Sequence, residues 1–409
     1  MRLLMVSQYF WPESFPINDI CSSLADKAVE LEVLTAKPNY PGGKIHDGYK
    51  AWACFRETYQ GINVNRIPLW PRGKNRLGLI LNYLSFVFSG ILFGSWMMRG
   101  KKFDVIFVYA PSPILQVIPA LFLGFLKKSP VVVWVQDLWP ESLSATGYVP
   151  NRLVLKLVSV IVRFIYKRAD LILVQSQAFI EPVRKLASNT PIEYHPNSVI
   201  ESFSATAFGE VQQIKGMDGV FPVLFAGNIG QAQAVGVIVE TAFLLKDYND
   251  IQLVVMGDGS ARQGMLDDVK LRNLGNLHLP GKFPVESMPG FMQQAAVLLV
   301  TLADREIFAA TVPSKIQAYL AAAKPIVACL NGEGARLVEE AGAGFATPAE
   351  DARALADTIL KLYRMPQGQR DKMGSNGRAY FQRHFNHEDL IDRLIVHLQG
   401  VTRVETGTR

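Results

Sequence analysis

The chain has 409 residues, 49% of them hydrophobic, with 42 Lys and Arg against 36 Asp and Glu; that length asks for two domains, and that composition excludes a disordered or fibrous chain. The charge is unevenly spread, since residues 61–170 hold fourteen Lys and Arg against four Asp and Glu, an excess of ten that is larger than the formal +6 of the whole chain. A segment both basic and apolar points to anionic lipid rather than nucleic acid, for which no recognition motif or aromatic and arginine platform is present. Cys21, Cys54 and Cys329 lie far apart without metal spacing, which fits a reducing compartment. The opening Met-Arg-Leu-Leu-Met-Val-Ser lacks the cleavage region of a signal peptide, so a cytoplasmic protein is expected.

The first half opens with strand Leu3 to Ser7, loop Gln8 to Phe15, a helix from Ile17 to about Glu30, and strand Leu31 to Thr35. This is half of a doubly wound sheet, in which loops at the carboxyl ends of strands take the ligand. Glu13, Asn18 and Asp19 sit at the first such loop, and Gln136, Asp137, Trp139 and Glu141 at the one after strand Val131 to Val135. Further strands are read at Gly61 to Pro68, Val105 to Tyr109, Leu171 to Val174 and Ile192 to His195. Three helical segments, Leu77 to Met98, Ile114 to Lys128 and Arg152 to Arg168, are apolar and flanked or punctuated by Lys and Arg. The first would reach about 33 Å as a helix, enough to cross a bilayer core of about 30 Å. Crossing would put strands of one sheet on opposite sides of the membrane, and both its ends are basic, so surface attachment is expected instead. Gly78, Asn82, Ser85 and Ser89 give it one small, polar face.

A linker is expected from Asn197 to about Asp218, after which the strand and helix alternation resumes: strand Val223 to Ala226, helix Val237 to Leu245, strand Leu253 to Met256, helix Ala261 to Leu271 and strand Leu277 to Leu279. Gly227, Asn228, Ile229 and Gly230 follow the first strand of this half, and Gly257-Asp258-Gly259 the second; glycines there let backbone approach a phosphate, although either stretch also serves as a plain turn. Ala295 to Leu302 is a continuous apolar strand that empties into Asp304 to Pro325. Here Thr311 is expected to cap a helix with Val312 and Pro313 in its first turn, leaving free N–H groups beside Ser314 and Lys315, an arrangement suited to an anion. The same loop could instead only start a structural helix. Strand Ile326 to Cys329 follows, and Arg378 to Gly400 reads as a C-terminal helix ending in a polar tail, Thr402 to Arg409. No metal-ligand spacing, Asp-x-Asp, Gly-x-Ser-x-Gly or Walker lysine loop occurs, so nothing calls for a cofactor or metal, and hydrolase and triphosphatase readings are disfavoured.

Taken together, Pro196-Asn197-Ser198, the GNIG and GDG loops, PSKIQAYLAAAKP and NGEGARLVEEAGAG resemble a family 4 glycosyltransferase of the GT-B fold. QYFWPESF, PNYPGG, WVQDLWPES and ESMPGF resemble its bacterial O-antigen and capsule branch, which includes N-acetyl-fucosamine transferases. The resemblance implies two Rossmann-like α/β domains with doubly wound parallel sheets facing across a cleft: residues 1–200 for the acceptor and membrane, residues 201–385 for the nucleotide sugar, and a C-terminal helix, 386–409, packed back on the first. It implies a donor diphosphate near Gly227 to Gly230 and Thr311 to Ser314, with Gln233, Gly257, Lys282 and Gln317 nearby, and retention at the anomeric carbon. The expected partners are a UDP-sugar, a glycan linked to undecaprenyl diphosphate and the anionic inner face of the plasma membrane, with no nucleic acid. Asp137, Glu141 and Glu13 are candidate acceptor ligands or proton handlers, and Lys315 the candidate cation for the leaving diphosphate.

This sequence departs from the family pattern in two places. Ala310 and Ala318 stand where a pair of glutamates is usual, with Glu306 and Gln317 near but displaced, and Asn228 and Gln233 stand where a basic pair is usual. An epimerase of the same architecture and a catalytically silent sugar-nucleotide binder are the alternative readings.

Overall fold

The computed structural model describes residues 1–73, 75–145, 151–199, 214–215, 217 and 221–404. Most of the expected linker, Asn197 to Asp218, and the end of the tail, Thr402 to Arg409, lie outside the described residues. The chain divides into two compact units: Met1–Pro196 with Glu388–Arg409, and Asn197–His387.

The first unit contains β1 (Arg2–Val6), α1 (Pro16–Asp26), β2 (Glu30–Thr35), β3 (Phe55–Tyr59), β4 (Ile62–Arg66), α2 (Arg76–Ser89), a π-helical turn (Gly90–Gly94), α3 (Ser95–Met97), β5 (Val105–Ala110), α4 (Val117–Lys127), β6 (Val131–Val135), α5 (Glu141–Ala145), α6 (Arg152–Arg168), β7 (Leu171–Val174), α7 (Ile180–Ala187) and β8 (Ile192–Tyr194). Its sheet runs β3-β4-β2-β1-β5-β6-β7-β8, parallel except for the β3–β4 hairpin. The order turns back at β1, flanked by β2 on one side and β5 on the other, so the loops after these strands gather at the switch point where such sheets bind ligands. Strands β5 and β6 are buried along their whole length, which is why they read as unbroken Val-rich runs. The hairpin strand β3 is mostly exposed and carries Arg56 and Glu57, so no apolar period marks it in the sequence.

The second unit contains β9 (Phe221–Ala226), α8 (Gly236–Leu244), β10 (Ile251–Met256), α9 (Arg262–Leu271), β11 (Leu277–Gly281), α10 (Met288–Gln294), β12 (Val297–Thr301), α11 (Glu306–Ala310), α12 (Ser314–Ala321), β13 (Ile326–Cys329), α13 (Glu333–Glu340), β14 (Gly344–Thr347), α14 (Ala352–Arg364) and α15 (Gln367–His384). Its sheet is wholly parallel, β11-β10-β9-β12-β13-β14, and turns back at β9. Both units are therefore doubly wound α/β layers.

The C-terminal helix read as continuous from Arg378 is two helices. Helix α15 stops at His384, Phe385 leaves helical geometry, and α16 (His387–Val404) begins after it. The apolar stripe of α16 enters the first unit's core: Ile391, Leu394 and Leu398 are buried in one cluster with Leu3, Met5, Val33, Phe107, Trp134 and Leu173. At its edge Lys27 pairs with Asp392 at 2.6 Å, and the Arg393 guanidinium donates to the Tyr194 carbonyl at 2.9 Å.

Helix α2 and its π-helical continuation are built inside out. Leu77, Ile80, Leu84, Phe88, Leu92 and Trp96 recur at helical spacing and are exposed, Phe88 and Leu92 each to 65%. The opposite face, Asn82, Phe86, Ser89, Gly90 and Gly94, is buried and, Phe86 apart, small or polar. Asn82 justifies the inversion: it accepts from the Gln8 amide at 2.7 Å and donates to the Trp70 carbonyl at 2.7 Å and to Asn39 at 3.2 Å, while the Gln8 N–H donates to Gln116 at 2.8 Å. A buried polar group so satisfied costs little, and it ties the helix to the loops after β1, β2 and β4. Helices α4 and α6 also expose apolar residues, Phe122, Phe125, Leu126, Leu153, Leu157, Val160 and Phe164, although their buried faces (Val117, Ala120 and Leu123; Val162, Ile165 and Tyr166) are apolar too, and α4 packs between the π-helical turn and α6.

Candidate functional site

In the second unit the loops after β9 and β10 touch through their backbones. Gly227 (φ +136°) and Gly257 (φ +144°) hold conformations that L side chains rarely adopt, and a Cβ on Gly257 would lie 1.8 Å from the Gly227 carbonyl oxygen. The Ile229 N–H donates to the Asp258 carbonyl at 2.8 Å, and the Ala261 N–H to the Ile229 carbonyl at 2.9 Å, so the two loops form one ledge. Ile229 is fully buried and contributes backbone only. Gln233 folds back on this ledge, accepting from the Gly230 N–H at 3.2 Å and from the Asn228 amide at 3.0 Å.

The loop after β12 differs from the sequence reading. Residues Glu306–Ala310 form a helix of their own, α11, and Thr311 closes it, its hydroxyl donating to the Ile307 carbonyl at 2.9 Å. Thr311 is therefore not the cap of the next helix; Pro313 holds that position and no side chain caps α12. Val312 is buried, Pro313 is half-buried and Ser314 is exposed. In the first turn of α12 the Ile316 N–H donates to the Pro313 carbonyl at 2.9 Å, which leaves the N–H groups of Ser314 and Lys315 where the helix dipole favours an anion. The carboxyl end of β9 is tied to α12 by the Ala226 N–H, which donates to the Tyr319 hydroxyl at 3.0 Å.

Lys315 lies across Gly227. A Cβ on that glycine would meet the lysine's Cε at 2.5 Å, and the Lys315 Nζ sits 3.7 Å from the centre of the Phe225 ring. Desolvation pushes this amine down to about 7. Among the described residues no carboxylate pairs with it. Phe225 as its seat was not evident from sequence, where it counts only as a buried strand residue. Lys282 is exposed just beyond β11. Gln317 disagrees with its expected role, because it is fully buried with neither amide atom hydrogen-bonded, and so offers nothing to a ligand arriving from solvent.

In the first unit two expected acceptor groups are occupied in holding loops. Glu13 is 4% exposed and its Oε1 accepts from the N–H groups of Asn39 (2.7 Å) and Tyr40 (2.6 Å). Burial still raises its pKa above the usual carboxylate value, against the pull of these bonds. Asn18 accepts from the Trp11 N–H at 2.9 Å and donates to the Glu13 carbonyl at 2.7 Å, which shapes the same loop. Asp19 is exposed on α1. Asp137 is half-buried and accepts from the Ser112 N–H at 3.1 Å; burial raises its pKa and that bond lowers it, burial being the larger effect. Trp139 donates to the Ser112 hydroxyl at 3.0 Å, and the enclosed Gln136 side-chain nitrogen has no partner among the described residues. Glu141 is exposed in the first turn of α5. Asp137, Trp139 and Ser112 thus form one cluster at the ends of β5 and β6.

The arrangement has known counterparts. Residues 17–198 match the glycosyl transferase 4-like domain, and residues 221–365 match the family described as glycosyl transferases group 1. The chain is a glycosyltransferase of the GT-B type. The transferase is 24% identical over 427 residues to the Escherichia coli (strain K12) protein WcaI, named for a glycosyl transferase role in colanic acid biosynthesis, with 98% of this chain and 100% of WcaI covered. Among solved structures it superposes on sucrose-phosphate synthase from Thermosynechococcus elongatus with a TM-score of 0.75 at 15% identity, covering 98% of this chain and 99% of that one. It superposes on Anabaena HepE in complex with UDP and glucose with a TM-score of 0.68 at 14% identity, covering 98% of this chain and all of that one. These structural likenesses carry the fold.

Proposed function

We propose that this transferase moves a sugar from a UDP-sugar to a glycan carried on undecaprenyl diphosphate, with retention at the anomeric carbon, during O-antigen, capsule or exopolysaccharide assembly. The observation that carries the reading is the ledge of the second unit: glycine backbones at Gly227 and Gly257, a helix N-terminus at Ser314 with no side-chain cap, and Lys315 laid across Gly227 with no carboxylate partner among the described residues. Such a place suits a diphosphate, whose charge grows as the sugar leaves. The Lys315 ammonium and the N–H groups of Ser314 and Lys315 would take up that charge, while Lys282 follows Gly281, whose carbonyl accepts from the Gly257 N–H at 2.8 Å. On the acceptor side, Asp137 is the group for positioning the attacking hydroxyl and managing its proton, with Glu141 at the start of α5, whereas Glu13 serves as a loop anchor. The colanic acid role in WcaI's name and the UDP and glucose in the HepE complex support a polysaccharide pathway and a UDP donor. By resemblance to the N-acetyl-fucosamine transferase branch, the sugar is an N-acetylamino or deoxy sugar.

The exposed apolar residues of α2, α4 and α6 support work at the inner face of the plasma membrane. The segment Arg76–Met97 is long and apolar enough to cross a membrane, but its Asn82 face is part of the first unit, so the reading is of a helix lying on the bilayer. The test is acceptor-dependent release of UDP from a panel of UDP-sugars, followed with lipid-linked oligosaccharide in vesicles. A silent sugar-nucleotide binder would release none, and an epimerase would convert the sugar without acceptor.

A further inference from the structure

The exposed apolar face of the first unit contains a groove of about 650 Å³, within the ~300–1,000 Å³ range of small-ligand sites. Its walls are Ile91 of the π-helical turn, Ile118, Leu121, Phe122 and Phe125 of α4, and Phe164 of α6. One end is polar, where Lys128, Arg168 and Asp170 meet. Asp170 is already engaged, accepting from the Val131 N–H at 2.7 Å. Lys128 closes α4 in a left-handed conformation, and the Arg168 guanidinium lies 5.5 Å from the Phe164 ring centre; both are exposed. The groove is thus an apolar slot whose polar end carries two cations against the one engaged carboxylate of Asp170, a net positive end that complements the phosphate of a single anionic lipid.

We propose that this groove holds one acyl chain of an anionic bilayer phospholipid, with its phosphate on Lys128 and Arg168. The position selects a bilayer lipid over the lipid-linked acceptor. The cationic end lies beside Val131, where β6 begins, whereas Gln136, Asp137 and Trp139 follow the other end of that strand, about 17 Å away for five residues. A lipid seated here fixes how the first unit lies on the membrane without entering the chemistry. The proposal rests on the membrane-surface reading and adds a lipid-binding site to it.

The test separates the two. Short-chain phosphatidylglycerol held below its micelle concentration is titrated against the whole protein by calorimetry, and sedimentation with phosphatidylglycerol vesicles is measured alongside. One-to-one binding is expected. It should weaken at least about tenfold when the groove is filled (Leu121→Trp and, as a second variant in case the first misfolds, Ile118→Phe) and when its end is reversed (Lys128→Glu with Arg168→Glu). Leu84→Asp with Phe88→Asp, on the bilayer face outside the groove, should abolish vesicle sedimentation and leave the monomeric lipid bound. Absence of one-to-one binding, or binding indifferent to the filled and reversed variants that fold, overturns the groove. Loss of vesicle binding from none of the variants overturns the membrane reading beneath it. Farnesyl phosphate binding where phosphatidylglycerol does not would overturn the proposal in favour of an acceptor-lipid site.

Discussion

The Lys315 ammonium stands over the ring of Phe225, 3.7 Å from its centre, with desolvation lowering its pKa to about 7. An unfolded lysine keeps its proton to about 10.4, so between about pH 7 and 10 the folded state binds fewer protons, and this residue's contribution to stability rises with pH. Such an amine is unfavourable until an anion arrives. Lys315→Met should therefore melt at or above the native temperature at pH 7 while binding UDP about ten- to a hundredfold more weakly, the value of a charge-assisted bond of roughly 1.5–3 kcal/mol. Bound diphosphate raises the pKa of Lys315, so UDP affinity should fall as the pH rises above about 7, with proton uptake measurable by titration in buffers of different ionisation enthalpy. A melting temperature lowered by several degrees together with unchanged UDP affinity would remove Lys315 from the donor site.

Gly257 supplies a second check on the ledge. Alanine there would place a Cβ 1.8 Å from the Gly227 carbonyl, at φ +144°. The expected cost is on the order of 2 kcal/mol or more in denaturant unfolding, with donor binding lost beyond what partial unfolding explains. A neutral substitution would mean the two loops do not meet as described.

The sequence made the sheets legible because their strands are buried on both sides: Val131–Val135 and Val297–Thr301 read as strands with no partner known. It made the site legible only in outline. Ser314 and Lys315 stand out as a hydroxyl and a cation after a buried strand, but α11 is hidden, because five residues carry too little period to announce a helix, and the pattern alone therefore gives Thr311 to α12 although it closes α11. Gln317 and Glu13 show the other limit. Residue type proposes a polar contact, and only burial shows that one amide is sealed in and that one carboxylate is already holding Asn39 and Tyr40.

Asn82 was legible as part of a small polar face, and its burial gives that face a purpose. Asn82→Leu should leave the Gln8 amide and the Trp70 carbonyl short of partners, costing on the order of 1–3 kcal/mol for each group left unpaired. Vesicle binding per folded molecule should be unchanged, since the outward face of α2 is intact. Equilibrium unfolding and sedimentation distinguish these effects.

The return of α16 to the first unit predicts where C-terminal damage is felt. Leu394 is fully buried with Leu3 and Trp134 in its cluster, so Leu394→Ala should destabilise the first unit by about 2–5 kcal/mol. Hydrogen exchange should report the loss in β1 and β6, with β9 and β12 protected as before. Loss confined to the second unit would contradict this packing.

The most direct measurement of the central claim is a crystal structure of the protein with UDP. The account predicts the diphosphate within hydrogen-bonding distance of the Ser314 and Lys315 N–H groups and of the Lys315 ammonium, against the Gly227 to Gly230 backbone. A diphosphate bound elsewhere, with Ser314 and Lys315 untouched, would contradict it.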